Sequence, residues 1–173
     1  MAKRIRRKIK NKSGVTLAET LIAIVILLMV VAIVAAGVPV AVNAYDEIVT
    51  SANAQVLLST TMTRLRDELC TAAEIKAEGG TITYVSSAGS KSVIYLGDGG
   101  ICLREYADIT DSPEYDRLLV TREAANNNLR TSFASCEYSG GVIKFTDLAV
   151  KKGDETMIGA AAFEIKILTD IKR

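Results

Sequence analysis

The 173-residue chain is long enough for one domain with a real core, or for a smaller domain carrying one long extra element. With 49% hydrophobic and 24% charged residues it is neither a polar disordered chain nor a multi-span membrane protein. It has no His, and its 3 Cys form no CxxC pair, which removes His-based triads, His-ligated zinc or haem, zinc ribbons and thioredoxin-type redox sites. A chain so poor in catalytic side chains is read as a non-enzyme, with no cofactor and no metal centre.

The net charge of +1 hides a division. Seven basic residues (Lys3, Arg4, Arg6, Arg7, Lys8, Lys10 and Lys12) fall in the first 14 positions, without an acid among them. The remainder carries 14 basic and 20 acidic residues. A basic head on an acidic body implies two compartments or two fates. Nucleic-acid binding is not indicated, because an apolar run follows the head and the aromatic residues are few and scattered.

From Leu21 to Val42 no side chain is polar over 22 residues. A helix of that length reaches about 33 Å, enough for a bilayer core of about 30 Å. Basic residues before the run and Asp46-Glu47 after it place the N-terminus in the cytoplasm and the body outside. The run is too long for the core of a secretory signal peptide, although Val42-Asn43-Ala44 has the small residues of a cleavage site. A plain signal anchor fits the length. Neither accounts for Glu19, a carboxylate at the membrane boundary that calls for a cationic partner.

The segment Lys12-Ser13-Gly14-Val15-Thr16-Leu17-Ala18-Glu19-Thr20-Leu21, running into the apolar stretch, resembles the class III signal of type IV prepilins and pseudopilins. The resemblance is direct over about the first 45 residues and architectural beyond them. Val15 stands where Phe is more frequent in that family, and Pro39 lies three residues past the family's usual proline. The resemblance implies cleavage between Gly14 and Val15 by a membrane prepilin peptidase, then N-methylation of Val15. It also implies assembly through Thr16, Leu17 and Glu19. The implied partners are other pilin subunits, in a homo- or heteropolymer, the peptidase, and an inner-membrane platform with its assembly ATPase. The precursor would be a single-pass membrane protein and the product an extracellular filament. Gly37 and Pro39 mark an expected kink or weak turn near Ala35–Pro39, where subunits leaving the membrane would unwind.

After Asp46, apolar or small residues recur at Ile48, Ala52, Val56, Met62, Leu65, Leu69 and Ala72, mostly at helical spacing. They predict one helix from Thr16 to Lys76, stopped by Gly79-Gly80 and packing its stripe on a globular layer. From Thr81 the period changes. Strands are expected at Thr81–Val85, Ser92–Leu96, Ile101–Tyr106, Arg117–Thr121, Val142–Thr146 and Phe163–Leu168, with turns at Asp98-Gly99-Gly100 and Gly140-Gly141. The fold class is therefore α+β: a long N-terminal helix on one small antiparallel sheet, pilin-like. The division is 1–14 leader, 15–45 membrane and assembly helix, 46–78 amphipathic helix and 79–173 sheet domain.

In the body, Asp108, Asp111, Glu114 and Asp116 make an acidic loop without EF-hand spacing, so a solvated turn is expected before a Ca²⁺ site. Three thiols in an exported body leave one unpaired if a bridge forms. The expected pair is Cys102–Cys136, with three free thiols as the alternative. The leading expectation is a filament subunit, major or minor. The alternatives are a pseudopilin of a type II secretion or DNA-uptake apparatus, and an uncleaved single-pass protein with an extracellular binding domain.

Overall fold

The computed structural model describes residues 16–106, 113–121 and 128–168. Two compact units divide at Asp46 and Glu47. The first contains the apolar part of helix α1 (Leu17–Leu69), whose run of branched and unbranched aliphatics has no polar face. Gly37 and Pro39 both lie inside α1, and the helix is assigned without a break through Ala35–Pro39. Pro39 nonetheless removes one backbone donor from the ladder.

The second unit is α+β. Among the described residues it combines the end of α1, from Glu47, with nine antiparallel strands in two sheets. The first sheet is a meander in chain order: β1 (Ala73–Glu78), β2 (Thr81–Val85), β3 (Lys91–Gly97), β4 (Gly100–Tyr106) and β5 (Pro113–Leu118). In the second, β8 (Val142–Lys152) is central. Its first half pairs with β7 (Ser135–Ser139), its second half with β6 (Leu129–Ser132), and its other side with β9 (Glu155–Lys166). The single small sheet expected from the sequence is thus two sheets, with β1, β6 and β7 added.

Alternation builds both sheets. In β2 and β3, Ile82, Tyr84, Ser92 and Ile94 turn inward, and in β8 and β9 so do Ile143, Phe145, Phe163 and Ile165. They meet Ala54, Leu57, Leu58, Leu65 and Leu69 of α1 in one core. Phe145 stands edge-on to Phe133 with ring centroids 5.4 Å apart.

The expected helix stripe holds in its second half, where Leu65, Leu69 and Ala72 are buried, and departs in its first. Ile48 and Val56 are 68% and 62% exposed, whereas Thr50, Ala54, Leu57, Leu58 and Thr61 are buried. Spacings of three and four connect both sets, so periodicity alone left the choice of face open. The two threonines disguised the buried face as polar; Thr61 returns its hydroxyl to the Leu57 carbonyl at 2.7 Å and so needs no water.

The helix also stops at Leu69, short of Lys76. Ala73-Glu74-Ile75-Lys76-Ala77-Glu78 consists of good helix formers, yet it alternates apolar and charged residues and forms β1. Gly79-Gly80, expected as the helix stop, is the β1–β2 hairpin loop, with both residues at positive φ (58° and 81°). Arg117–Thr121 is displaced: β5 starts at Pro113 and ends at Leu118. The turns at Asp98-Gly99 and Gly140-Gly141 lie where the sequence puts them.

Candidate functional site

The first described residues build a helix start whose parts come from the signal itself. Thr16 is the N-cap of α1 and Glu19 sits three residues on. Thr16 N donates to Glu19 Oε2 at 2.9 Å, and Thr16 Oγ1 donates to the same oxygen at 3.2 Å. In return Glu19 N donates to Thr16 Oγ1 at 3.3 Å. This is a capping box: two backbone donors that the helix itself leaves without partners are satisfied by two side chains. The carboxylate also lies at the positive end of the helix dipole. Thr20 closes the turn, its hydroxyl donating to the Leu17 carbonyl at 2.9 Å. Among the described residues Glu19 Oε1 takes no hydrogen bond.

Sequence reasoning placed Thr16 in the assembly motif but missed its capping role. The signal was present, since Thr-x-x-Glu ahead of an apolar run is the pattern of a capping box. Gly14 and Val15, the expected cleavage and methylation residues, lie outside the described residues. Leu17 is 83% exposed, and the large apolar side chains that follow it through Val42 are exposed too. α1 is long and apolar enough to cross a membrane, with none of its most apolar window buried. So much bare apolar surface on one helix is stable only in lipid or against other helices.

Residues 9–35 match the prokaryotic N-terminal methylation motif. The match takes in the end of the basic head (Lys10 and Lys12), Gly14, the Thr16–Glu19 box and the apolar run as far as Ala35, and it supports the type IV pilin and pseudopilin family. No curated protein and no solved structure matches the chain. A long N-terminal helix packed on antiparallel sheets gives the architecture its pilin-like form.

In the globular unit the described cysteines, Cys70, Cys102 and Cys136, are free thiols, so the expected Cys102–Cys136 bridge is not formed. Cys102 is on β4 of the first sheet and Cys136 on β7 of the second, each pointing into its own surroundings. Cys102 Sγ donates to the Gly100 carbonyl at 3.5 Å, while Cys136 is buried in the core. Burial pushes both thiols above their ordinary range, which disfavours the nucleophilic thiolate. On the outer face of the first sheet, Arg104 lies 2.6 Å from Asp116, and Tyr95 donates to Asp116 at 2.8 Å. The Arg104 and Tyr95 hydrogen bonds hold the Asp116 carboxyl below its usual value. These groups satisfy one another and leave no base for a nucleophile. Of the acidic loop, Asp108 and Asp111 lie outside the described residues; Asp116 is taken up by Arg104 and Tyr95. Among the described residues, no three His, Cys, Asp or Glu side chains converge.

A cavity of about 730 Å³ opens beside the β3–β4 turn, lined by Leu57, Asp98, Leu118, Arg130 and Lys152 among others. Its guanidinium is already engaged: Arg130 donates to the Gly153 and Asp98 carbonyls at 3.1 and 3.5 Å. The arrangement ties two turns together.

Proposed function

We propose that this chain is a structural subunit, a major or minor pilin, which polymerises through α1 into an extracellular type IV pilus-like filament. The observation that carries this reading is the methylation motif at residues 9–35 running directly into a helix whose apolar side chains are bare. A prepilin peptidase cuts between Gly14 and Val15 on the cytoplasmic side and methylates the Val15 amine. The basic leader, which until then holds the N-terminus inside, is left behind. The mature subunit waits in the membrane, is lifted by an inner-membrane platform and its ATPase, and stacks α1 on the helices of other subunits. The Gly37–Pro39 stretch, with one backbone bond missing, is the place for α1 to yield during extraction.

Glu19 serves this assembly through both oxygens. Oε2 caps its own helix, and Oε1 receives the cationic Val15 amine of a neighbouring subunit. In an apolar filament core either charge alone is costly, so the pair forms only in the right axial register. The test of the reading is the mature N-terminus, sequenced by mass spectrometry from membranes and from sheared surface material. N-methylated Val15 is expected in both. A chain on the cell surface that retains residues 1–14 overturns the proposal and favours the uncleaved anchor.

A further inference from the structure

Between Glu19 and Arg64 the chain carries only two charged residues, Asp46 and Glu47. Both are exposed on α1, and neither carboxylate has an ion-pair partner among the described residues. From Ile48 to Thr63 no residue is charged. A helix face turned to water ordinarily carries charge. Here the exposed positions include Ile48, Ala52, Gln55, Val56, Ser59 and Thr63. Ser59 and Thr63 donate their hydroxyls to the Val56 and Ser59 carbonyls, each at 2.9 Å, so their polar atoms turn back onto the helix. Such a face suits another helix better than it suits water.

Arg64 ends this uncharged stretch. α1 has one other basic residue, Arg66, whose guanidinium lies over the Phe163 ring at 5.8 Å. Arg64 is exposed and has no ion-pair partner in its own chain. The three pairs among the described residues are Arg104–Asp116, Arg117–Glu105 and Lys144–Glu164. Of the acids one turn on, Glu68 accepts the Tyr84 hydroxyl at 3.4 Å. A hollow of about 320 Å³ opens beside Arg64, lined by Ser59, Thr60, Thr63 and Asp67.

We propose, resting on the filament reading, that Arg64 receives Glu47 of a second copy of the chain stacked on α1, and that this pair fixes their axial stagger. A lone carboxylate is costly between apolar helices, so the uncharged faces close only where Glu47 meets a cation. A polar pair in an apolar seam sets register in the same way. Glu47 and Arg64 are 17 residues apart, which shifts the two copies by about 26 Å. Asp46 is five whole turns from Arg64 and points the same way. Glu47 is about 100° further round, nearer to the opposed direction that facing helices need. The copies therefore turn as well as shift, and the contact is heterologous and open-ended, as a filament requires. Pairing of Glu19 with a Val15 amine needs a shift of only about 6 Å. One neighbour cannot satisfy both contacts, so each α1 meets at least two copies at different heights.

The test uses cells with the full-length variant as sole copy, reading sheared filament yield against cleaved protein in the membrane. Glu47→Arg and Arg64→Glu, each alone, should leave cleavage unchanged and lower filament yield at least fivefold. Both together in one chain should return the yield to within about twofold of wild type, which also controls for damage to the fold. Arg64→Lys keeps the charge and should assemble. A zero-length carbodiimide should then join Glu47 to the introduced amine, a link that 26 Å of helix forbids within one chain. Peptide mass spectrometry of the filaments reads that link. Single reversals that assemble like wild type overturn the proposal, as do a double reversal that stays low and Arg64→Lys filaments without the link. A wild type that makes no cleaved filament overturns the filament reading, and this proposal with it. Intact wild-type filaments with unaffected reversals overturn this proposal alone.

Discussion

Thr16 and Glu19 hydrogen-bond each other in both directions, with Glu19 Oε2 2.9 Å from the Thr16 amide and Thr16 Oγ1 3.3 Å from the Glu19 amide. The carboxylate therefore has a partner inside its own helix before any neighbour arrives. Capping and charge pairing become separable by substitution. Glu19→Gln keeps the capping box, which accepts Gln at that position, but removes the charge. Thr16→Ala keeps the charge and loses the cap, at about 1 kcal/mol of helix stability. If Glu19 acts by pairing with a Val15 amine, Glu19→Gln and Glu19→Val should both be cleaved normally and both reduce sheared filament yield severalfold, with Thr16→Ala much milder. Wild-type yield from Glu19→Gln would leave capping as the role of the residue.

The Arg104–Asp116–Tyr95 cluster gives the body a pH signature. Hydrogen bonds from Arg104 and Tyr95 lower the Asp116 carboxyl from its ordinary 3.8. A group with a depressed folded-state value contributes stability above its unfolded value, and loses it as pH falls through the folded one. The contribution of Asp116 is thus complete above about pH 4 and fades below it. Because both side chains are more than a third exposed, solvent screens the pair and the effect is small. Melting curves of wild type and Asp116→Asn should run parallel between pH 5 and pH 7, then converge below pH 4. A constant gap down to pH 2 would show that shape alone matters at this position.

The membrane segment, the signal and the α+β class were legible in the sequence because each rests on a one-dimensional pattern: an unbroken apolar run, a fixed spacing around Gly14, and alternation after Thr81. The helix face and the sheet count depend on neighbours far along the chain. Thr50 and Thr61 read as polar, yet one hydrogen bond to the preceding turn lets Thr61 enter the core. The six residues of β1 have helix-forming side chains, and the Gly79-Gly80 hairpin and pairing with β2 override them. β6, at Leu129–Ser132, is only four residues long and has too little pattern to detect. It is a strand because β8 continues past β7 and offers it an edge.

Leu57 and Val56 are neighbours in sequence with opposite fates, 2% and 62% exposed. Leu57→Ala should cost about 2–5 kcal/mol, because the core around it closes only partly on the cavity. Val56→Ala should change stability by no more than about 0.5 kcal/mol. Chemical denaturation of the chain in micelles, followed by far-ultraviolet circular dichroism, measures both. Equal losses would restore the stripe through Ile48 and Val56 as the packed face.

A buried polar contact links the two sheets: Ile101 N of β4 donates to Thr131 Oγ1 of β6 at 3.1 Å. Gly100 makes this approach possible. Its φ is +127°, and a Cβ there would stand 2.9 Å from Thr131 Oγ1 and 3.2 Å from Thr131 N. Thr131→Val keeps the volume and removes the acceptor, leaving the buried Ile101 amide without its partner, a loss of about 1–3 kcal/mol. Gly100→Ala should cost at least as much, since it adds backbone strain to a clash with the facing strand. Thr131→Ser retains the hydroxyl and should stay closer to wild type than Thr131→Val. Thermal melting of the three variants checks the order. A Thr131→Val chain as stable as wild type would mean that apolar packing alone holds β4 against β6.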